Sequence, residues 1–367
     1  MIAPLSEKLR NVDDACLVET ITTSNGIPGA PLRCSPYRQG QVTMDKTDYI
    51  GIDIAKAKFD MALAQANGKY IYRTFANNTK GFNDLLTMLK ARGVVKAHIA
   101  MEATNIYWYE LATFCQRQTH WTVSVLNPLQ ISAYAKCRLQ RGKTDKLDAT
   151  LIARYCQREQ PDAWQALSPG AQKLLNLLRQ YDHLKTQIHV ERTRLKTADP
   201  VIQPSIRDTL SALEQQTQTM QALINQHIDD DDELSAGRKL LDSIPGVGEQ
   251  TSPWLLAYLD NGTRFARGKQ AACFAGLTPR PWQSGTSIKG RTCISKVGPS
   301  ELRKILYMPA VVVSFGKHKN YQAFVKRLEA NGKQKLEIIV AVMRKIITVA
   351  QAVLRTQTPF KSQLHAS

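Results

Sequence analysis

The sequence predicts an α/β domain, a helical linker and a mainly α-helical C-terminal domain. Three strand-like segments come first: YIGID, FDMALA and KYIYRTF. A turn at Asn67-Gly68 separates the last two, so we expect an antiparallel meander. Helical spacing over Asn77–Arg92 and Ile106–Gln118 then alternates with the strand-like segments AHIAME and WTVSVL. The resulting order, βββαβαβα, is that of the ribonuclease H-like fold.

The chain divides into four segments. Residues 1–43 are rich in Pro, Ser, Thr and Gly, so we expect a disordered arm or, because MDKTDYIGID is a natural beginning, an over-extended start. Residues 44–160 hold the α/β domain. Residues 161–238 carry Leu and Ile at spacings of three and four, which predicts paired helices or a short coiled coil with oligomer contacts. Residues 239–367 form the C-terminal domain.

The distribution of charge indicates a polyanionic partner. The chain has 49 Lys and Arg against 31 Asp and Glu, a net charge of +18. From the first segment to the last the net charges are 0, +7, −3 and +14. Two basic domains that flank a slightly acidic linker are typical of nucleic-acid binding. We interpret the acidic run Asp229–Glu233 as a solvated linker on a loop before a helix, not as a metal site.

The sequence predicts a cytoplasmic, nucleoid-associated protein without a membrane span. Its seven cysteines are odd in number and form no CxxC pair, which argues against a zinc knuckle or a disulfide framework. No signal peptide opens the chain. The most apolar late stretch, Ile338–Leu354, is interrupted by Arg344 and Lys345, so we expect a buried helix there.

Four carboxylates are candidates for one catalytic cluster. The first and fourth strands of a ribonuclease H-like sheet are parallel neighbours, so we expect Asp53 and Glu102, at their ends, to lie side by side. Asp145 and Asp148 are three residues apart at the start of a predicted helix, and therefore share a face. Mg²⁺ prefers such oxygen ligands and activates nucleophiles for phosphoryl transfer. The alternative for any single acid is a helix-dipole or strand-end role.

Basic side chains surround the second acidic pair in the sequence. They are Lys136, Arg138, Arg141, Lys143 and Lys146. Such residues can hold the phosphates of the strand that is cut. A solvated basic loop is the alternative.

A glycine-rich turn opens the C-terminal domain. LLDSIPGVGEQTSPWLLAYL predicts a helix, a tight turn and a second helix, as in helix-hairpin-helix DNA-binding elements. The backbone N–H groups of Gly246 and Gly248 can face a phosphate at the start of the second helix. An ordinary helix connection that needs glycines is the alternative.

Ser284 is the candidate nucleophile of this domain and lies in a Gln-Ser-Gly turn. The nearby cations are Arg280, Lys289, Arg291, Lys296, Arg303 and Lys304. A serine hydroxyl attacks a phosphodiester only with a base or metal nearby and with cations to stabilise the developing charge. No histidine is close in sequence, so a base has to come from elsewhere, such as the carboxylate cluster. By itself Ser284 fits a turn serine better than a nucleophile, and Ser287 and Ser295 are rival candidates.

Together these segments resemble the insertion sequence one-ten transposases, also called DEDD transposases, which are related to the Piv invertase and guided by a bridge RNA. The matching segments of the α/β domain are GIDIAKAKFD, AMEATNIYW and GKTDKLDATLIARYC. Those of the C-terminal domain are IPGVG and AGLTPRPWQSG…GRTCISKVGPSELRKIL. The resemblance covers about residues 46–355 and leaves the first 43 without a counterpart.

The resemblance implies a ribonuclease H-like (RuvC-like) domain whose four metal-binding acids are Asp53, Glu102, Asp145 and Asp148. It implies that Ser284 joins DNA covalently, and that dimers pair into tetramers with a composite site between protomers. The expected partners are donor and target double-stranded DNA and a guide RNA. We therefore expect a Mg²⁺-dependent, RNA-guided serine recombinase of an insertion sequence.

Three other functions fit parts of the sequence. A site-specific DNA invertase would use the same chemistry without mobility. A junction-resolving nuclease would use water and would leave Ser284 without a role. A non-catalytic DNA-binding scaffold would keep the basic segments but would not require four acids.

Overall fold

The structure is a computed structural model that describes residues 46–139, 142, 144–284, 288–316 and 319–362, with the backbone alone described for 282–284 and 288–292. The arm expected over residues 1–43 lies outside the described residues. So do Arg141, Lys143 and Ser287, three residues that the sequence singles out.

The N-terminal part is a five-stranded sheet with four helices. Its elements are β1 (Thr47–Ile54), β2 (Lys58–Ala64), β3 (Tyr70–Ala76), α1 (Thr79–Ala91), β4 (Lys96–Glu102), α2 (Tyr109–Gln116), β5 (Trp121–Leu126), α3 (Pro128–Cys137) and α4 (Asp145–Glu159). The strand order is β3-β2-β1-β4-β5, with β1 antiparallel to β2 and parallel to β4. The predicted meander and the predicted pairing of β1 with β4 are confirmed.

Helix α3 is an addition that the sequence pattern did not indicate. It begins at Pro128, where a fixed φ suits the first helical position. The side chain of Asn127 caps it by accepting a hydrogen bond from Leu129 N, while Gln130 accepts one from the backbone N–H of Asn127. This capping box satisfies N–H groups that a helix start leaves without partners.

The two faces of the sheet are covered differently because β1 alternates large and small residues. Ile50 and Ile52 of β1 belong to the apolar core that α1 and α2 close. On the other face Gly51 stands in register between Ala62 of β2 and Ala100 of β4. This row of small residues lets α4 approach β1 at backbone distance, and so fixes where α4 begins.

Two long helices, α5 (Pro169–Thr197) and α6 (Gln203–Asp229), pack along each other as the predicted pair. Ser168 caps the start of α5 and donates hydrogen bonds from its N and Oγ to the carboxylate of Asp260. Of the acidic run that follows α6, Asp231 caps the next helix by accepting from Leu234 N. The expectation of a loop there is wrong for Asp229, the last residue of α6, and for Asp232 and Glu233, which belong to the first turn of the next helix.

The C-terminal part is helical apart from one hairpin. Its elements are α7 (Asp232–Asp242), α8 (Ser252–Leu259), α9 (Gly268–Phe274), β6 (Pro279–Ser284), β7 (Ile288–Ile294), α10 (Ser300–Phe315), α11 (Gln322–Ala330) and α12 (Lys335–Thr356). Helix α12 is buried along Ile338–Leu354, as predicted, in a core that also takes Leu174 of α5 and Ile224 of α6. Within the described ranges, no helix is long and apolar enough to cross a membrane.

The β6–β7 hairpin is a difference from the sequence-based expectation of a turn around Ser284. Ser284 is the last residue of β6 and pairs with Ile288 of β7. A register shift between Arg280 and Trp282 interrupts the ladder. Prolines in β6 and a glycine in β7 obscure the alternation of polar and apolar residues by which strands are recognised.

Gly51→Ala should destabilise the protein, because the new Cβ would overlap the backbone nitrogen of Ala153 and the backbone oxygen of Ala149. Backbone atoms of a packed helix cannot rotate away, so we expect a loss of about 1–3 kcal/mol. The measurement is the midpoint of thermal unfolding followed by circular dichroism. Gly248→Ala is the matched control, since Gly248 is exposed and nothing lies within 4 Å of its added Cβ. Equal midpoints for the two variants would contradict the packing argument.

Candidate active site

Three carboxylates form a row across the face of the sheet that α4 covers. Asp60 of β2 is the register partner of Asp53 of β1. Ile52 pairs with Met101 of β4, so Glu102 comes next to Asp53 on the other side. Side chains of residues in register point to the same face. The predicted adjacency of Asp53 and Glu102 therefore follows from the observed pairing, and Asp60 extends the row.

The first turn of α4 brings two more acids, Asp145 and Asp148, to this row. Thr144 caps the helix by accepting a hydrogen bond from Leu147 N, so both acids lie where the helix dipole favours negative charge. The small-residue row under α4 places this turn beside the acidic row. All four acids predicted from the sequence are thus in one region of the structure.

The electrostatics of Asp53 report this convergence. Burial raises the pKa of Asp53 to about 6, and repulsion from Asp148, Glu102, Asp145 and Asp60 contributes in the same direction. Yet among the described residues no three carboxylate, imidazole or thiol groups form a ready-made metal ligand set. Repulsion acts over several ångströms whereas coordination requires direct contact, so the acids sense one another's charge without closing on one point. The repulsion therefore indicates that the five acids lie near one another.

Asp60 is a site residue that the sequence did not single out. It is 2% exposed, and its Oδ1 accepts hydrogen bonds from the hydroxyls of Tyr72 and Thr74. Burial by itself would raise the pKa of Asp60, but the hydrogen bonds from Thr74, Tyr72 and Lys58 lower it below its ordinary value. Asp60 therefore stays ionised. Its position opposite Asp53 in the predicted meander was the available signal.

Lys58 connects this buried acid to α4. Its Nζ lies 3.1 Å from Oδ2 of Asp60 and 2.7 Å from Oδ2 of Asp145. Hydrogen bonds to Asp145 and Asp60 hold the pKa of Lys58 above its ordinary value. One ammonium group thus spans β2 and the start of α4.

Asn77 joins the two loops that follow the central acids. Its side-chain amide donates to Ala55 O, 3.1 Å away, and to Tyr107 O, 3.2 Å away. The first loop follows β1 and Asp53, and the second follows β4 and Glu102. Asn77 therefore fixes the ends of both strands relative to each other, a role that a residue at the start of a predicted helix did not reveal.

The basic residues near the second acidic pair have varied positions. Lys136 and Arg138 are exposed at the end of α3, in the stretch of chain that leads to Asp145. Lys146 lies over the ring of Tyr72, 5.9 Å from its centre. The first two are therefore accessible to a nucleic-acid phosphate.

The cations near Ser284 in the sequence fall into two groups. Arg303 donates from Nη1 to the carbonyl oxygens of Ala275, Gly298 and Pro299, and Lys304 Nζ lies 2.6 Å from Oδ1 of Asp182. These two cations hold the fold together. The side chains of Arg280 and Lys296 are exposed, and the backbones of Lys289 and Arg291 lie in β7.

The hairpin that carries Ser284 belongs to the C-terminal part. Its two strands pair with each other, and Ile294 of β7 packs against the C-terminal apolar core. Among the described residues, no extensive packing joins β6 or β7 to β1, β4 or α4, the elements that carry the four predicted acids. Ser295, a rival nucleophile, follows β7 and has its backbone N–H bonded to Thr278 O.

The predicted helix, turn and helix around the IPGVG segment correspond to α7 and α8. Gly246 has a φ of +85°, and a Cβ there would overlap Cγ1 of Val313 in α10. Turn geometry and packing therefore account for Gly246. Gly248 is exposed, which leaves its backbone open to a ligand.

Asp53→Asn should stabilise the metal-free protein at neutral and alkaline pH. The pKa of Asp53 is about 6 in the fold against an ordinary value of 3.8. Between those values the folded state binds more protons than the unfolded state, so stability falls as pH rises through this range and the full cost remains above it. We expect a higher melting temperature for the variant at pH 8 in a chelator, and a difference that shrinks toward pH 4.

The control for this measurement is Asp84→Asn, which removes an exposed carboxylate of α1. It should leave the melting temperature nearly unchanged at both pH values. A lower melting temperature for Asp53→Asn at pH 8 would show that Asp53 is stabilised by its surroundings.

Comparison with known proteins agrees with the resemblance drawn from the motifs. Residues 50–198 match a transposase family defined by the DEDD domain of IS110, and residues 238–326 match the transposase IS116/IS110/IS902 family. The chain is 42% identical over 324 residues to the pilin gene-inverting protein of Moraxella bovis. The aligned region covers 88% of this chain and 100% of that protein. The corresponding protein of Moraxella lacunata gives the same values.

A third relative is more distant. It is the insertion element IS110 uncharacterized 43.6 kDa protein of Streptomyces coelicolor, which is 29% identical over 166 residues, or 45% of this chain and 40% of that protein. Both parts of the chain match in the order that the motifs predicted, and the Moraxella proteins match along their whole length. The chain therefore belongs to the IS110 family of transposases, enzymes that recombine DNA.

Proposed function

We propose that this enzyme cuts and rejoins DNA at specific sites with a divalent-metal carboxylate cluster and a serine nucleophile. The observation that carries the proposal is the convergence of Asp53, Glu102, Asp145 and Asp148 on one face of the sheet, reported by the raised pKa of Asp53. A fold that concentrates like charge in one place requires a compensating cation for its function.

The donor set fits Mg²⁺. All four side chains offer carboxylate oxygens, the ligands that this hard cation prefers, and a divalent charge would relieve the repulsion that Asp53 experiences. When bound, the ion stabilises negative charge on the phosphodiester oxygens and favours an ionised nucleophile. The chain's own contribution is to hold these acids on rigid elements: β1, β4 and the first turn of α4.

Ser284 supplies the nucleophile in this proposal. Its Oγ forms a bond to phosphorus while the bond from phosphorus to the leaving DNA oxygen breaks, and the hydroxyl proton passes to a base. The new ester keeps the bond energy, so a hydroxyl of another DNA end can reverse the step and rejoin the strands. Arg280, Lys289 and Arg291 would stabilise the negative charge that develops on the phosphoryl oxygens.

The active site is composite in this proposal. The hairpin with Ser284 belongs to the C-terminal part, and among the described residues it has no extensive packing against β1, β4 or α4 of its own chain. A second protomer can supply the missing half, which agrees with the dimers and tetramers that the family resemblance implies. The long α5–α6 pair is a suitable surface for such assembly.

DNA and RNA contacts are distributed over both basic parts. Lys136 and Arg138 are exposed in the N-terminal part, whereas Lys296 and Gly248 are exposed in the C-terminal part. Gly248 follows the turn before α8, so we assign this turn to a helix-hairpin-helix contact with a phosphate. We further propose that a guide RNA selects the DNA sites.

DNA inversion without mobility is the second candidate function. The Moraxella relatives are named for inverting a pilin gene, and their identity of 42% extends over 88% of this chain. Both functions use the same cutting and rejoining steps. They are distinguished by the product, since inversion leaves the segment in place whereas transposition moves it.

Ser284→Ala should eliminate both the covalent protein–DNA adduct and the recombined product. The measurement is a denaturing gel of labelled DNA incubated with protein and Mg²⁺, followed by peptide mapping of any shifted species.

Glu102→Gln should also abolish cleavage but keep DNA binding, because it removes a metal ligand and not a phosphate contact.

Ser287→Ala and Ser295→Ala are the matched controls and should retain both the adduct and the product. An adduct that maps to another residue would move the nucleophile. Cleavage by the wild-type protein without any adduct would favour a nuclease that uses water.

The protein purified at moderate salt should carry RNA, and its affinity for that RNA should fall steeply as salt increases. The reason is the net charge of +7 on residues 44–160 and +14 on residues 239–367, since each phosphate contact releases counterions. Filter binding with transcripts of the gene's own flanks provides the measurement. Equal affinity for an unrelated RNA of the same length would contradict a guide role.

A further inference from the structure

The contact between Lys58 and Asp145 has no role in the function proposed so far. Lys58 begins β2, and its Nζ lies between two carboxylates, 3.1 Å from Asp60 and 2.7 Å from Asp145. An ammonium at hydrogen-bond distance from two acids neutralises part of their charge. It therefore occupies the kind of position that a metal ion takes in an acidic cluster.

The two ends of this bridge differ in their exposure to solvent. The side chain of Asp60 is 3% exposed, and Tyr72 and Thr74 hold its other oxygen. The side chain of Asp145 is 57% exposed and that of Lys58 is 47% exposed. Asp60 is thus a fixed anchor for the ammonium, whereas Asp145 can exchange one cation for another.

We propose that Lys58 is a built-in counter-cation that holds Asp145 until a divalent ion displaces it from that carboxylate. The inference rests on the proposed function, because it takes Asp145 as a metal ligand. An ammonium and a divalent ion cannot both contact the same oxygen closely, because two cations at that separation repel strongly. The flexible four-carbon stem of lysine allows the ammonium to swing toward solvent while the strand stays in place.

The bridge joins two elements of the fold. Through Lys58 the first turn of α4 is connected to β2, and the ammonium offsets part of the negative charge of Asp60 and Asp145. The same contact lowers the affinity for a divalent ion, because binding has to include release of the ammonium.

Lys58→Met should bind a divalent ion more tightly than the wild-type protein. Removal of one competing positive charge next to the ligand should lower the dissociation constant for Mn²⁺ about tenfold. The measurement is the electron paramagnetic resonance signal of free Mn²⁺, titrated with the full-length protein without DNA. Lys58→Gln provides a second neutral variant and should behave in the same way.

Two variants serve as controls. Lys56→Met removes the same charge two residues earlier, where Lys56 is exposed, and should change the dissociation constant less than about threefold. Lys58→Arg keeps the charge and should stay close to the wild type. If both neutral variants of Lys58 bind Mn²⁺ no more tightly than Lys56→Met, the proposal is wrong.

The Asp53→Asn variant separates this proposal from the metal site itself. If Mn²⁺ binding is lost in Asp53→Asn but Lys58→Met binds Mn²⁺ as the wild type does, only the role of Lys58 is overturned. If Asp53→Asn binds Mn²⁺ as tightly as the wild type, or if no variant binds it, the metal site and the lysine proposal are both overturned. Binding by Lys58→Met but not by the wild type supports the competition.

Discussion

Helix α4 rests directly on the backbone of β1, and the geometry of the acidic region depends on this contact. Gly51 permits it, because any side chain there would meet the helix backbone at Ala149 and Ala153. Asp53 lies two residues further along the same face, next to Ile54, the last residue of the strand. Because Gly51 allows α4 to pack closely on β1, the first turn of α4 can also approach the acids.

The contact concentrates negative charge, and the surrounding structure compensates for part of it. The ionised form of Asp53 is destabilised, since burial and its acidic neighbours raise its pKa. Asp60 avoids this destabilisation through hydrogen bonds from Thr74 and Tyr72. Lys58 then connects the stabilised acid to the helix. Asp60, whose hydrogen bonds lower its pKa, therefore differs from Asp53, whose pKa burial raises. Strongly shifted carboxylates of this second kind are typical of functional sites.

The sequence predicts the sheet well because polar and apolar residues alternate visibly along each strand, and because the order of the elements along the chain indicates how the strands pair. The pairing of β1 with β4, and with it the approach of Glu102 to Asp53, followed from the order of elements alone. The β6–β7 hairpin was missed, since its prolines and glycines break the alternation. The roles of Asp60 and Asn77 depend on which distant atoms they meet, here across strands and loops, and no spacing rule reports such contacts.

The position of Ser284 illustrates the same limit at the level of function. The motif around it predicts a nucleophile and the motifs around Asp53 predict a cluster that activates one, but neither indicates the path between them. Among the described residues, the elements that carry them do not pack extensively against each other. If a second protomer supplies the acids, as proposed, an isolated chain cannot attack DNA. Under the proposed function, cleavage therefore depends on assembly, and assembly on DNA provides a physical means of restricting breaks to paired sites.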